Sequence, residues 1–203
     1  TKAAEQEHAT AQYNLGWMYA NGEGVTQDHK QAEYWWTKAA EQGDADVQYN
    51  LGLMYDNGQG VPQDYEQAAY WFTKSAKQGY AEAQSYLGWM YYNGQGAPQD
   101  YKQAISWFTK AAEQGDATAQ YNLGLMYAKG RGVTQDYKKA ISWYTKAAEQ
   151  GDADVQYNLG VMYQEDEGFP QDHKQTINWF TKAAEQGHIR AQYDLGNMYY
   201  NGQ

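Results

Sequence analysis

The chain repeats itself every 36 residues, and that period limits its fold more than any single residue does. Leu15, Leu51, Leu87, Leu123, Leu159 and Leu195 form one column of the repeat. Each is followed by glycine, and three residues beyond each leucine stands a methionine, which accounts for all 6 methionines of the chain. The stretch TKAAEQGDADVQYNLG occurs letter for letter at Thr37 to Gly52 and again at Thr145 to Gly160, 108 positions or three periods apart. A catalytic site needs one constellation, so verbatim reuse points to architecture.

Within the period the apolar spacing is helical. Ala11, Leu15, Met18 and Tyr19 recur at i, i+4, i+7 and i+8, and Ala32, Trp35, Trp36 and Ala39 do the same in a second segment. Ala104, Trp107, Phe108 and Ala111 keep the second pattern, so Trp107 is expected in the core. Two amphipathic helices per repeat follow. Between them lies Asn-Gly-x-Gly, as at Asn21 to Gly24, where glycine permits the positive φ that ends a helix. It lacks the Lys-Ser/Thr of a phosphate loop and follows a helix, so it reads as a turn. Asp28 with Gln31, Asp64 with Gln67, Asp100 with Gln103 and Asp172 with Gln175 form a capping-box pattern at the start of the second helix. Glu-Gln-Gly closes that helix in most copies, with Gly43, Gly115, Gly151 and Gly187 available as left-handed caps.

These motifs, A-x-x-x-L-G-x-M-Y, N-G-x-G-V-x-x-D and A-x-x-W-[FY]-x-K-A-A-E-Q-G, resemble the Sel-one-like repeat, a relative of the tetratricopeptide repeat, over essentially the whole chain. The resemblance implies an all-α fold, an α/α superhelical solenoid. It also implies a non-enzymatic adaptor or scaffold for protein complexes, often bacterial and often periplasmic or secreted. The residues themselves agree about the shape, because one helix pair cannot bury its apolar stripe and stacked neighbours can. Eleven complete helices, two per layer at ~9 Å between axes, would make a stack about 50 Å long. Such a groove suits an extended peptide of about 15 residues.

Opposite the core stripe of the first helix lie Thr10, Tyr13, Trp17 and Ala20, the expected concave face. These columns vary where the core columns do not. The Trp17 column reads Trp17, Leu53, Trp89, Leu125, Val161 and Asn197; the Ala20 column includes Asp56 and Tyr92; the Thr10 column includes Asp46, Glu82, Asp154 and Arg190. Tyr13, Tyr49, Tyr121, Tyr157 and Tyr193 form a ladder beside them. Aromatic side chains concentrate at binding hot spots because they bury large area with few rotors. The candidate partner-binding set is therefore Tyr13, Trp17, Tyr49, Asp56, Glu82 and Trp89, continued by Tyr92, Tyr121, Tyr157, Arg190 and Tyr193. The tyrosines have a second reading, as packing between adjacent first helices.

Composition narrows the partner. With 25 Asp and Glu against 15 Lys and Arg, the chain is a poor match for a phosphate backbone. No apolar run approaches the roughly 18 residues of a membrane span. There is no cysteine, hence no disulfide framework. His8, His29, His173 and His188 fall in different repeats without metal-ligand spacing. Asp166 stands where four other loops have glycine, flanked by Glu165 and Glu167, and reads as a solvated, degenerate loop. Thr1 to Gln6 matches a repeat tail and Asn201 to Gln203 a mid-repeat turn, as expected of one array, residues 1–203, cut from a longer protein. The expected function is a protein or peptide scaffold using no cofactor. A carbohydrate module stacking sugars on the aromatic ladder is the alternative, and an enzyme with Asp46 and Glu82 as a carboxylate pair the weakest, lacking a nucleophile and a closed pocket.

Overall fold

The computed structural model describes residues 8–164 and 171–202, and among them every regular element is an α-helix. In chain order these are α1 (Ala9–Asn21), α2 (His29–Glu41), α3 (Ala45–Asn57), α4 (Tyr65–Lys77), α5 (Ala81–Asn93), α6 (Tyr101–Glu113), α7 (Ala117–Lys129), α8 (Tyr137–Glu149), α9 (Ala153–Gln164), α10 (His173–Glu185) and α11 (Ile189–Tyr200). Odd-numbered helices are the first helices of a repeat and even-numbered ones the second. The acidic stretch Glu165 to Glu167 lies outside the described residues. The chain divides into two compact units, Thr1–Ala111 and Ala112–Gln203.

In each unit the core is built from the same columns. Trp36, Phe72, Leu51, Leu87, Met54 and Met90 fill the first unit, and Tyr144, Leu159 and Trp179 the second. The deepest position is the second of each aromatic pair: Trp36, Phe72, Phe108, Tyr144 and Phe180 are sealed. Trp107, expected in the core, is only half-buried, packing along the edge of the cluster with the Lys110 ammonium 4.0 Å from its ring centre.

Glycine in the Leu-Gly column is explained by those rings. An added Cβ on Gly88 would stand 2.7 Å from Cδ1 of Phe108, and on Gly124 the same distance from Cδ1 of Tyr144. Absence of a side chain lets the second helix press its aromatic ring onto the backbone of the first.

The first-helix stripe differs from the expected one in a second respect. Gln12, Gln48, Gln84, Gln120 and Gln156 are buried beside the leucines, and of the expected stripe Ala11 and Tyr19 are half-buried while their equivalents Ala83, Ala119, Ala191 and Tyr55 are buried. Burial of an amide demands partners, and each glutamine has them. Gln48 Nε2 donates to Ala40 O at 3.0 Å, Gln84 to Ala76 O at 3.0 Å, Gln120 to Ala112 O at 3.1 Å and Gln156 to Ala148 O at 3.1 Å. Their side-chain carbonyls in turn accept from the glutamine that ends the next second helix, as Gln48 does from Gln78 at 2.8 Å and Gln120 from Gln150 at 2.9 Å. One column of glutamine thus ties three successive helices together through helix-end carbonyls that each also accept the amide of the glycine three residues on.

The caps follow the sequence with one change. Asp28, Asp64 and Asp100 each accept from two amides of the second helix, including that of the glutamine three residues on, at 2.8 to 3.1 Å. The reciprocal half of the box is taken by the first helix instead, since the Asp28 and Asp64 amides donate to Tyr19 O and Tyr55 O at 2.9 Å. That bond fixes how the second helix folds back on the first.

Candidate functional site

The tyrosine ladder turns partly inward. Tyr13 meets Trp17 edge to face at 6.4 Å, and Trp17 meets Trp36 at 5.4 Å. Tyr49 lies 5.7 Å from Phe72, Tyr121 lies 5.3 Å from Tyr144, and Tyr157 stacks on Phe180 at 5.3 Å. All five residues are half-buried, so the ladder packs first helices onto the sealed aromatics of second helices. Tyr193 is exposed. Nothing here supports the carbohydrate alternative.

The Ala20 column departs from the expected face. Ala20 itself is 7% exposed, a core position, and Asp56 and Tyr92 are half-buried. The backbone explains it: the carbonyls of Ala20, Asp56 and Tyr92 accept from Gln27, Gln63 and Gln99 at 2.7 to 2.9 Å, so this column lies under the loop of its own repeat. Burial pushes the Asp56 carboxyl above the usual carboxylate range. Tyr92 turns toward Tyr101, 5.4 Å away, at the start of α6.

What stands open on the first-helix face of the first unit is an aromatic and acidic patch on α3 and α5. Trp89 is 40% and Tyr86 37% exposed, with Glu82 also exposed; at i, i+4 and i+7 they share one stripe of α5. Sequence reading missed Tyr86. The third repeat carries Ser85-Tyr86 where the others carry Tyr-Asn or, in the last, Tyr-Asp, and its ring stacks on Phe72 at 5.1 Å and meets Tyr49 at 5.8 Å. Just ahead of that repeat, Tyr80 stands where Asp44 and Asp116 cap their helices at Val47 N and Ala119 N. Tyr80 makes no such cap; it packs 5.1 Å from Tyr49 and its hydroxyl donates to Asp46. Burial, then that bond, then the nearby charge of Glu82 push the Tyr80 phenol up to about 12. A comparison of the repeats position by position, rather than by shared columns, would have exposed all three departures.

The corresponding place in the second unit is built differently. Asp154, Tyr157, His188 and Arg190 occupy the positions of Asp46, Tyr49, Tyr80 and Glu82. His188 Nδ1 accepts from Ala191 N at 3.0 Å, capping α11, and its Nε2 lies 3.1 Å from Asp154 Oδ1. Its ring stacks on Tyr157 at 4.5 Å, and the Tyr157 hydroxyl donates to Asp194 at 2.9 Å. Arg190 is exposed. Here Asp154 and Asp194 each meet a side chain of the same unit. Among the described residues no three or more of His, Cys, Asp and Glu come together as metal ligands, and no helix is long and apolar enough to cross a membrane.

The Sel1 repeat model matches residues 9–44, 45–80, 81–116, 117–152, 153–188 and 189–203, so that each helix pair described above is one repeat. Among solved structures the chain is similar to c5321, a protective antigen present in uropathogenic Escherichia coli strains and displaying an SLR fold. The two share 42% identity at a TM-score of 0.85, over 98% of this chain and 43% of that one. It is also similar to a Sel1 repeat protein from Oxalobacter formigenes, at 36% identity and a TM-score of 0.82, over 96% of this chain and 80% of that one. The chain thus spans less than half the length of the Escherichia coli antigen. A search of curated proteins gave no match. Sel1-repeat solenoids are in general protein-interaction scaffolds and typically non-enzymatic. With six matched repeats and an all-helical solenoid fold, the chain belongs to the Sel1-repeat family.

Proposed function

We propose that this chain is a non-enzymatic scaffold that holds a protein or peptide partner on the face formed by its first helices. The observation that carries the reading is the exposure of Trp89 and Tyr86 side by side on α5, at positions where other repeats place Leu53, Leu125, Asn14 or Asn50. Folding requires no large aromatic ring at either position, since four of the other repeats fold without one at the Trp89 position, where only Trp17 matches it, and none of them has a ring at the Tyr86 position. Exposed, rigid aromatic surface beside carboxylates is what an interface hot spot is made of. Tyr13, Trp17 and Tyr49 extend the surface in the first unit; Tyr121, Tyr157, Arg190 and Tyr193 supply a separate one in the second.

The test pairs two measurements on Trp89→Ala. Melting should move little, by about 1 kcal/mol or less, because the ring is largely peripheral. Affinity for a partner purified on the wild-type chain should fall by about 2 kcal/mol, roughly thirtyfold. A variant that melts early yet binds its partner unchanged would make Trp89 a packing residue and remove this face from consideration.

A further inference from the structure

The charges of the first unit are sorted by helix. Its first helices α1, α3 and α5 carry Asp46, Asp56 and Glu82 and no Lys or Arg. Among the described residues its lysines stand on second helices, and three of them cover rings there: Lys38 lies 5.9 Å from the Tyr34 centroid, Lys74 lies 4.7 Å from Tyr70 and 4.8 Å from Trp71, and Lys110 lies 4.0 Å from Trp107. Tyr86 and Trp89 have no such cover among the described residues, and neither Asp46 nor Glu82 has an ion-pair partner there. On the second helices Tyr34, Tyr70, Trp71 and Trp107 are thus covered by the chain's own cations. The first-helix face presents the same rings, flanked by carboxylates, with the cation missing.

We infer that the patch formed by Tyr86 and Trp89 between Asp46 and Glu82 receives an arginine or lysine side chain from a basic segment of the partner protein. This rests on the first-helix face being the binding face, and it adds the chemistry of the occupant. An aromatic face attracts a cation through its quadrupole, and a carboxylate beside it adds Coulomb attraction and a hydrogen-bond acceptor. Asp46 is held toward Tyr80, while Glu82 stands free in the first turn of α5 to meet the incoming group. The second unit has the opposite arrangement at the same place: Arg190 replaces Glu82, and Asn197 replaces Trp89. That site has no use for a further cation.

The probe is a labelled, end-blocked peptide of about twelve residues alternating Arg and Gly, set against the same peptide with Glu for Arg, titrated at physiological ionic strength. The Arg peptide should bind and the Glu peptide should not. Glu82→Arg, which installs the charge found at Arg190, should weaken binding about tenfold, and Glu82→Thr, the residue of Thr10 and Thr118, by less. Trp89→Leu, the residue of Leu53 and Leu125, should weaken it about fivefold with an unchanged melting curve. Glu149→Arg, an exposed site at the end of α8 with the same change in net charge, should leave affinity within about twofold. Equal losses in Glu149→Arg and Glu82→Arg would reduce the effect to net charge and overturn the proposal, as would failure of the Arg peptide to bind. Binding of the Glu peptide that Trp89→Leu weakens would overturn the basic occupant while keeping the face. Binding indifferent to every α5 variant would overturn both.

Discussion

Adding one methyl group at Gly88 sets two effects against each other. Alanine is the better helix former by about 1 kcal/mol, yet its Cβ would meet the Phe108 ring at 2.7 Å. Overpacking of a sealed ring costs about 1 to 3 kcal/mol, so Gly88→Ala should lower the melting temperature. Phe108→Ala should cost about 3 to 5 kcal/mol in denaturant unfolding. Trp107→Ala should cost less, because its ring lies at the edge under Lys110. The two tryptophan-column neighbours are indistinguishable in sequence, since both fall on the apolar arc; which is sealed depends on where the glycine lets a ring approach. Phenols give a residue-scale signature in pH. Tyr55 is pushed well above the ordinary phenol range by burial and by Glu33, whose Oε1 accepts its hydroxyl at 2.6 Å, and Tyr80 is raised to about 12. A neutral phenol is favoured in the folded state, so this stability is fully present below about pH 10 and is lost as pH rises toward 12. Unfolding midpoints should fall over that window, and Tyr55→Phe with Tyr80→Phe should flatten the decline.

Helices are joined here by amides as well as by apolar contact. Gln120→Leu keeps the volume but removes the bonds to Ala112 O and from Gln150, each of which keeps a second partner in Gly115, so it should cost about 1 kcal/mol in denaturant unfolding. A result near zero would make the glutamine column dispensable. The helices and their turns were legible because period, Asn-Gly-x-Gly and the capping aspartates each act locally. The buried glutamines were not, since a polar residue next to the leucine column looks solvated until the neighbouring helix supplies its carbonyl. The columns expected to face outward were half legible: Trp89 and Glu82 lie open as the helical wheel predicts, while Ala20, Asp56 and Tyr92 sit beneath a loop whose path no helical wheel contains.

Across the whole chain the 36-residue period makes stability a sum over repeats, and the proposed function leaves recognition to the positions that break the pattern. The formal net charge of −10 is spread unevenly enough that a basic partner should bind with strong salt dependence, weakening as the screening length falls from about 8 Å at physiological salt to about 3 Å at 1 M. The most direct test is hydroxyl-radical footprinting of side chains with and without the Arg-Gly peptide. Tyr34 and Tyr70, exposed on second helices, serve as internal references for Tyr86 and Trp89 on α5. Oxidation of Tyr86 and Trp89 should fall several-fold on binding while Tyr34 and Tyr70 stay unchanged. Protection of Tyr34 and Tyr70 with Tyr86 and Trp89 still oxidised would place the partner on the second helices and contradict the account.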